Sequence, residues 1–234
     1  MTEPDRRAEL QSGLATVRER IARACDAAGR DPAEITLVAV TKFFPASDIE
    51  LLQALGIRDI GENRDQEAAD KVGQLGDRAG LTVHFIGQLQ SNKAGSVVRY
   101  ADVVQSVDRA KLVTALDRAA SHVGARPAVL VQVSLDDEHG RGGVAPELAP
   151  DLAVAVAQSA NLELRGVMAV APLGADPAPA FARLRDVARG IQQAHPSATW
   201  ISAGMSGDLE QAIAHGATHL RVGSAILGSR QSHR

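Results

Sequence analysis

The sequence predicts one α/β domain over residues 1–234, a parallel (β/α)8 barrel with an additional N-terminal helix. A chain of 234 residues suits one such barrel. Short runs rich in β-branched residues alternate with helix-like stretches; the runs are residues 36–41, 57–61, 82–87, 102–107, 128–134, 162–170, 198–203 and 219–223. This alternation implies parallel strands with right-handed crossovers, whose natural closed form is the TIM barrel. The competing open sheet carries a Gly-x-Gly-x-x-Gly turn after its first strand, which this chain lacks.

The predicted helices have recognisable starts and stops. The first covers residues 6–28, where apolar residues recur at steps of three and four, and Gly29 ends it. A second helix is predicted over residues 46–55 and ends at Gly56. Asp108 is a predicted cap for a helix that contains Leu112 and Leu116, and Pro146 suits the first turn of another helix. A further helix is indicated by an apolar stripe of Phe181, Leu184, Val187 and Ile191. Residues 174–179 are predicted to form one long loop.

Composition narrows the class of ligand. With 25 basic and 28 acidic residues the net charge is -3, so no cationic surplus favours nucleic acid or anionic lipid as a partner. A small neutral or anionic ligand is the better expectation. The lone Cys25 excludes an intramolecular disulfide and fits a packing role in a reducing cytoplasm. No apolar run approaches membrane-spanning length and no metal-ligand spacing stands out, so we expect a cytoplasmic protein without a metal site.

Lys42 follows the first predicted strand directly. Side chains alternate along a strand, so Val38, Val40 and Lys42 share a face, and Lys42 lies at the carboxyl end where barrel active sites gather. Burial favours the neutral amine, which is the form that makes a Schiff base. A solvated lysine at a strand end explains this residue equally well.

Two loops near the C-terminus could bind an anion. Residues 202–208 lead from the seventh strand into a helix, with Ser206 as its predicted N-cap and Gly207 beside it. Residues 221–228 place Gly223 and Ser224 after the eighth strand. Barrels often bind phosphate between the loops after strands seven and eight. Either loop alone fits ordinary turn chemistry, but their joint occurrence favours a phosphate site.

Polar residues also follow the second and third strands. Asn63, in Gly61-Glu62-Asn63, could hydrogen-bond a ring hydroxyl or belong to a helix cap. Residues 84–93 could line the barrel mouth or begin a helix. The sequence leaves these alternatives open.

Six motifs together resemble one known family. They are Val40-Thr41-Lys42, Gly61-Glu62-Asn63, residues 84–93, Arg165-Gly166-Val167-Met168-Ala169, Ser202-Ala203-Gly204-Met205-Ser206 and Arg221-Val222-Gly223-Ser224. In this order and spacing they are similar to the pyridoxal phosphate homeostasis protein family. The resemblance implies a fold-type III barrel like the N-terminal domain of alanine racemase. It also implies pyridoxal 5′-phosphate bound as a Schiff base to Lys42, phosphate contacts from the Ser206-Gly207 and Gly223-Ser224 loops, and Asn63 near the ring.

Arg221 is predicted to point into the barrel, because alternation places it on one face with His219 and Gly223. From the sequence alone, an arginine that balances the phosphate or pairs with a carboxylate is the simpler interpretation. The resemblance implies instead that Arg221 faces the pyridine nitrogen. A guanidinium donor there would keep the nitrogen unprotonated, which makes the ring a poorer electron sink.

Two positions depart from the family's pattern. Arg64 stands where many members have a tyrosine, and residues 140–143 read Gly-Arg-Gly-Gly where a lysine-serine-glycine form is common. Neither change falls on the lysine or the phosphate loops. Both positions are expected near the outer part of the barrel mouth, so the sequence does not decide which partner or substrate the protein prefers.

The leading functional hypothesis is a monomeric carrier of pyridoxal phosphate without substantial turnover, with apoenzymes that need the cofactor as candidate partners. The alternative is an amino acid racemase, which needs an acid or base on each face of the substrate. Lys42 could serve one face, but Tyr100 is expected at the opposite rim, and the chain has no room for the racemases' additional β domain after the eighth strand. A Schiff-base aldolase acting on a sugar phosphate is a third hypothesis.

Overall fold

A computed structural model describes residues 2–76, 78–136 and 142–228 of the protein. Within these residues the predicted runs form a closed parallel barrel in sequential strand order. The strands are β1 (Thr36–Val40), β2 (Asp59–Glu62), β3 (Thr82–Phe85), β4 (Val103–Val107), β5 (Ala128–Gln132), β6 (Glu163–Met168), β7 (Trp200–Ser202) and β8 (His219–Val222). Pairing of β1 with β8, which places Val38 beside Arg221, closes the barrel. The predicted TIM-barrel fold is confirmed.

Helices surround the barrel. They are α1 (Glu3–Ala28), α2 (Ala46–Ala54), α3 (Asp65–Gln74), α4 (Ala94–Val97), α5 (Ala110–Val123), α6 (Ala149–Ala157), α7 (Pro177–Ala194), α8 (Leu209–Ala214) and α9 (Ser224–Leu227). The additional helix α1 begins at a capping box formed by Thr2 and Asp5 and ends at Gly29, whose φ of 63° lies in the left-handed region. None of the helices in the described ranges is long and apolar enough to cross a membrane.

Two predicted helix boundaries are wrong. Asp108 does not cap α5: Arg109 occupies the N-cap position, and the Asp108 carboxylate accepts a hydrogen bond from the Arg109 guanidinium instead. The predicted loop at 174–179 ends early, because the Asp176 side chain accepts from the Ala178 N–H at 3.1 Å and starts α7 at Pro177. A capping side chain followed by proline is a strong helix start.

The strands separate two buried regions. Outside the barrel, apolar strand residues such as Ile60, Leu220 and Val222 pack against the helices, and Cys25 is buried in the same core, where burial raises its thiol pKa. The interior holds Val38, Val40, Val103, Leu130 and Met168 together with the polar side chains of His84, Gln105, Ser202, His219 and Arg221. Part of the barrel interior is therefore polar, and this part leads to the candidate site.

Candidate functional site

Lys42 lies at the carboxyl end of β1, where the sequence predicts it. The next residue, Phe43, has a φ of 70°, which is uncommon for a residue with a side chain. Two hydrogen bonds hold this turn: the Phe43 N–H donates to the Glu67 carboxylate, and the Phe44 N–H donates to the Thr41 carbonyl at 3.0 Å. The half-buried Lys42 therefore sits on backbone that the surrounding contacts fix.

A buried ionic cluster lies on the outer side of this turn. Lys71 Nζ is 2.6 Å from Glu62 Oε1, 2.8 Å from the Thr41 carbonyl and 3.0 Å from Glu67 Oε1. The Thr41 hydroxyl also donates to Glu62 Oε1, at 2.6 Å. Burial raises the pKa of Glu62 against the opposing effect of Lys71. Since an ammonium has three donors and Lys71 meets three acceptors, Lys71 is a structural lysine.

The two predicted anion loops meet, although not as the sequence predicted. Ser206 is not an N-cap: α8 begins at Leu209 after Asp208, whose Oδ1 accepts from the Met205 N–H at 2.6 Å. The Ser206 hydroxyl lies 3.4 Å from that of Ser224, so the loops after β7 and β8 do come together. Gly207 is exposed in the first of these loops.

Gly223 brings the second anion loop against β1. A Cβ atom at Gly223 would lie 3.3 Å from the carbonyl oxygen of Val40, tighter than most real Cβ contacts. Val40 is two residues before Lys42 along the chain. The paired hydroxyls and the lysine thus belong to neighbouring strands at the same end of the barrel.

Arg221 is buried inside the barrel, as alternation predicts. Its Nη1 donates to Ser202 Oγ at 2.6 Å and its Nη2 to the Ala169 carbonyl at 2.8 Å. Burial lowers its pKa to about 10, so the guanidinium stays charged at neutral pH. Among the described residues it forms no ion pair, and the interpretation that it pairs with a carboxylate is not supported.

Sequence reasoning missed a chain of polar side chains behind Arg221. Ser202 Oγ donates to Gln105 Oε1 at 2.7 Å, and Gln105 Nε2 lies 2.9 Å from His84 Nδ1. His84 Nε2 in turn lies 2.9 Å from Asp59 Oδ1. One signal could have found it: Gln105 is the one amide of a buried strand, two positions from a valine on either side, Val103 and Val107.

Asn63 is half-buried just after β2, where its backbone closely approaches the segment after β3. A Cβ atom at Gly87 would lie only 2.0 Å from the Asn63 carbonyl oxygen, so glycine is needed there. Arg64 is exposed, with its guanidinium 4.9 Å from the centre of the Phe43 ring. The Arg64 departure thus lies beside the residue that follows Lys42. Of the other departure, Gly140 and Arg141 lie outside the described residues.

Tyr100 belongs to the outer core. Its backbone precedes β4, as expected, but its hydroxyl donates to Asp65 Oδ1 at 3.4 Å, and Asp65 is the first residue of α3. The expectation that the side chain stays at the opposite rim is therefore wrong. Burial, together with Asp65, raises the pKa of the Tyr100 hydroxyl.

Sequence comparison assigns the chain to a family. The family described as alanine racemase, N-terminal domain, matches residues 13–231. A pyridoxal phosphate homeostasis protein of Mycobacterium tuberculosis is 46% identical over 97% of this chain and 95% of its own length. The Escherichia coli protein of that name is 38% identical over 95% of this chain and 97% of its own. This chain belongs to the pyridoxal phosphate homeostasis protein family.

Solved structures agree with this family assignment. PipY of Synechococcus elongatus with pyridoxal phosphate bound is 36% identical and superposes with a TM-score of 0.82 over 94% of this chain and all of PipY. A protein from Bifidobacterium adolescentis reaches 0.92 at 32% identity, covering 97% of both chains. Alanine racemase of Streptomyces coelicolor, at 18% identity and a TM-score of 0.75, shares the barrel fold over 94% of this chain and 58% of its own.

Proposed function

We propose that this protein binds pyridoxal 5′-phosphate reversibly, as a Schiff base on Lys42, and takes part in pyridoxal phosphate homeostasis. One observation carries the proposal: the loops after β7 and β8, which meet at the Ser206 and Ser224 hydroxyls, pack through Gly223 against β1, the strand that leads to Lys42. A ligand with a phosphate and an aldehyde could bridge these two features. The family relationship and the bound ligand of PipY support the same ligand.

The residues present fit the groups of this cofactor. Hydroxyls of Ser206 and Ser224 are suitable donors to a phosphate, and the half-buried Asn63 is the residue that we propose contacts the ring. Arg221 can only donate hydrogen bonds, so it suits an unprotonated ring nitrogen as acceptor. When bound, pyridoxal phosphate supplies an electron sink, and an unprotonated ring nitrogen weakens it. The arrangement therefore favours holding the cofactor over using it.

We further propose that the protein has no substantial racemase turnover. Racemisation by two bases needs a second acid or base opposite Lys42. Tyr100, the sole tyrosine of the chain, donates its hydroxyl to Asp65 in the outer core and does not meet this need. Reversible holding without turnover suits a protein that supplies the cofactor to apoenzymes, which are its proposed partners.

The test is direct. Purified protein is titrated with pyridoxal phosphate, its absorption spectrum is recorded, and the complex is reduced with borohydride and digested for mass spectrometry. We expect a yellow complex and a stable adduct on Lys42. A complex without colour, as an aldolase of sugar phosphates would give, contradicts the proposal, and so does an adduct on Lys71, Lys93 or Lys111.

A further inference from the structure

We propose that Ser202, Gln105 and His84 are positioning residues that orient the Arg221 guanidinium through a chain of hydrogen bonds across the barrel interior. The chain runs from Arg221 on β8 to Ser202 on β7, Gln105 on β4 and His84 on β3, and it ends at Asp59 on β2. That Arg221 faces the cofactor ring at the barrel mouth rests on the proposed function. The chain itself rests on contacts among this protein's own residues.

The roles of donor and acceptor follow from the chemistry of each group. A guanidinium only donates, so Ser202 Oγ accepts from Arg221 and sends its one hydrogen to Gln105 Oε1. The amide nitrogen of Gln105 then faces His84 and can only donate, so His84 Nδ1 must accept. A neutral imidazole carries its single hydrogen on the other nitrogen, and His84 Nε2 donates to the Asp59 carboxylate. Every bond therefore points the same way, from cation to carboxylate.

Burial makes this arrangement specific. His84, Gln105 and Ser202 are fully buried, and Arg221 is 5% exposed. In such surroundings a donor or acceptor left without a partner is costly, so each member restricts the orientation of the next. The Gln105 amide cannot turn over without placing its nitrogen against the Ser202 hydroxyl and its oxygen against His84 Nδ1. One orientation of Arg221 is thereby favoured over its other rotamers.

The two hydrogen-bond partners of His84, the Gln105 amide and the Asp59 carboxylate, hold this tautomer in place. His219 lies close, with 6.2 Å between the ring centres, but burial lowers the pKa of His219 to about 3, so it brings no positive charge at neutral pH. The other charged groups that act on His219 are Asp59, Arg165 and Arg221. Adding a proton to His84 Nδ1 would remove the acceptor of the Gln105 amide. The neutral His84 tautomer is thus the one that supports the chain.

The first arm of the test uses the protein without cofactor. Nitrogen-15 NMR of the histidine and arginine side chains should show His84 protonated on Nε2 and bare on Nδ1. Ser202→Ala should speed hydrogen exchange of the Arg221 guanidinium about tenfold, the effect expected for loss of one charge-assisted hydrogen bond. Ser202→Thr keeps the hydroxyl and should restore slow exchange. Gln105→Glu keeps the volume, and its new carboxylate should draw a proton onto His84 Nδ1.

Val103→Ala is the matched control. Val103 is a buried interior residue beside His84 in the pairing of β3 with β4, and it takes no part in the chain. This variant should lose stability without altering Arg221 exchange or the His84 tautomer. If it changes Arg221 exchange as much as Ser202→Ala does, the effect is loose packing and the proposal is overturned. A wild-type His84 that is protonated on Nδ1 also overturns it.

The second arm uses the complex with pyridoxal phosphate. Ser202→Ala should shift the visible absorption band in the same direction as Arg221→Lys, while Val103→Ala should leave the band in place. If Ser202→Ala has the same absorption spectrum and the same Arg221 exchange rate as the wild type, the positioning role is disproved. If the wild-type protein binds no pyridoxal phosphate, the proposed function fails, but the first arm still decides the positioning role.

Discussion

Two lysines near the end of β1 have different surroundings, and this difference supports our proposal that Lys42 is the one that reacts. Lys71 is buried with its three donors engaged by Glu62, Glu67 and the Thr41 carbonyl. Breaking this cluster would leave the buried Glu62 carboxylate without its cation, which is costly. Lys42, on the other side of Thr41, is half-buried and follows a fixed strand end. Lys71 stabilises the turn, and Lys42 is the candidate for covalent chemistry.

We predict that Lys42→Ala abolishes the borohydride-stable adduct, because the other lysine near this strand end, Lys71, is held in the buried ionic cluster with Glu62 and Glu67. Binding through the phosphate should survive in weakened form. Absorption spectra and mass spectrometry after reduction are the measurements. Lys93→Ala is the matched control, since Lys93 is half exposed and lies 3.7 Å from Asp65, and it should retain the full adduct. Retention of the adduct in Lys42→Ala would disprove the assignment.

We predict that Ser206→Ala and Ser224→Ala combined weaken pyridoxal phosphate much more than pyridoxal. Hydrogen bonds to a charged group contribute about 1.5 kcal/mol each or more, so the pair should cost roughly a hundredfold in affinity for the phosphorylated ligand. Titration calorimetry or absorbance with both ligands measures the difference. An equal loss for both would place the phosphate elsewhere.

At the scale of the element, the strands were predictable and some helix starts were not. Most strands lie in short runs rich in β-branched residues between helical stretches, and this signal is local. The starts of α5 and α8 depend on competition for a side chain: Asp108 bonds Arg109, and Ser206 lies against Ser224. Only the tertiary fold brings Ser224 to Ser206, and the Arg109 guanidinium that bonds Asp108 is itself held by the Leu89 carbonyl, 20 positions earlier in the chain. The link from Ser202 to Gln105 joins residues 97 positions apart, which no local pattern reveals.

The same contrast holds for the candidate site. Alternation along β8 correctly predicted that Arg221 points inward with Leu220 and Val222 outward. It did not show which groups the guanidinium bonds to, because these come from other strands. Ser202 lies in β7, and the Ala169 carbonyl belongs to the residue that follows β6. The direction of a side chain follows from one strand, whereas its partners require the closed barrel.

We predict that Gly87→Ala destabilises the protein and weakens cofactor binding. The added Cβ atom would lie 2.0 Å from the Asn63 carbonyl oxygen, so the segment after β2 must move. Overpacking of this kind costs about 1–3 kcal/mol. Gly95→Ala is the matched control: it lies on α4 with no atom within 4 Å of the added methyl group, and alanine favours a helix. Thermal unfolding and ligand titration of both variants measure the effects; equal stability would contradict the prediction.

At the scale of the whole molecule, α1 ties together the elements that carry the site. Arg20 on α1 donates to the Ser206 carbonyl at 2.9 Å and pairs with Glu210 on α8. Near the start of α1, Arg6 donates to the Leu227 carbonyl at the end of α9 and pairs with Asp48 on α2. The additional helix therefore braces the elements that follow β1, β7 and β8.

The polar barrel interior also makes the stability of the whole molecule depend on pH. His219 is buried with its ring 4.3 Å from that of Trp200, and burial lowers its pKa to about 3. In the unfolded chain a histidine titrates near 6.5. Between these two values the unfolded state binds the extra proton, so stability rises with pH across this window. Acidification from pH 6.5 to pH 5 should cost about 1.5 kcal/mol through this residue.

His219→Phe isolates that contribution, because it keeps an aromatic ring beside Trp200 and removes the titrating group. We predict that the free energy of unfolding of the wild type falls more steeply than that of the variant between pH 6.5 and pH 5. Denaturant unfolding at several pH values measures both slopes, and carboxylates such as Glu67 and Glu210 contribute equally to each, so they cancel in the difference. Parallel slopes would mean that His219 is protonated as easily in the folded barrel as in the unfolded chain, which contradicts its burial among His84, Arg165 and Arg221.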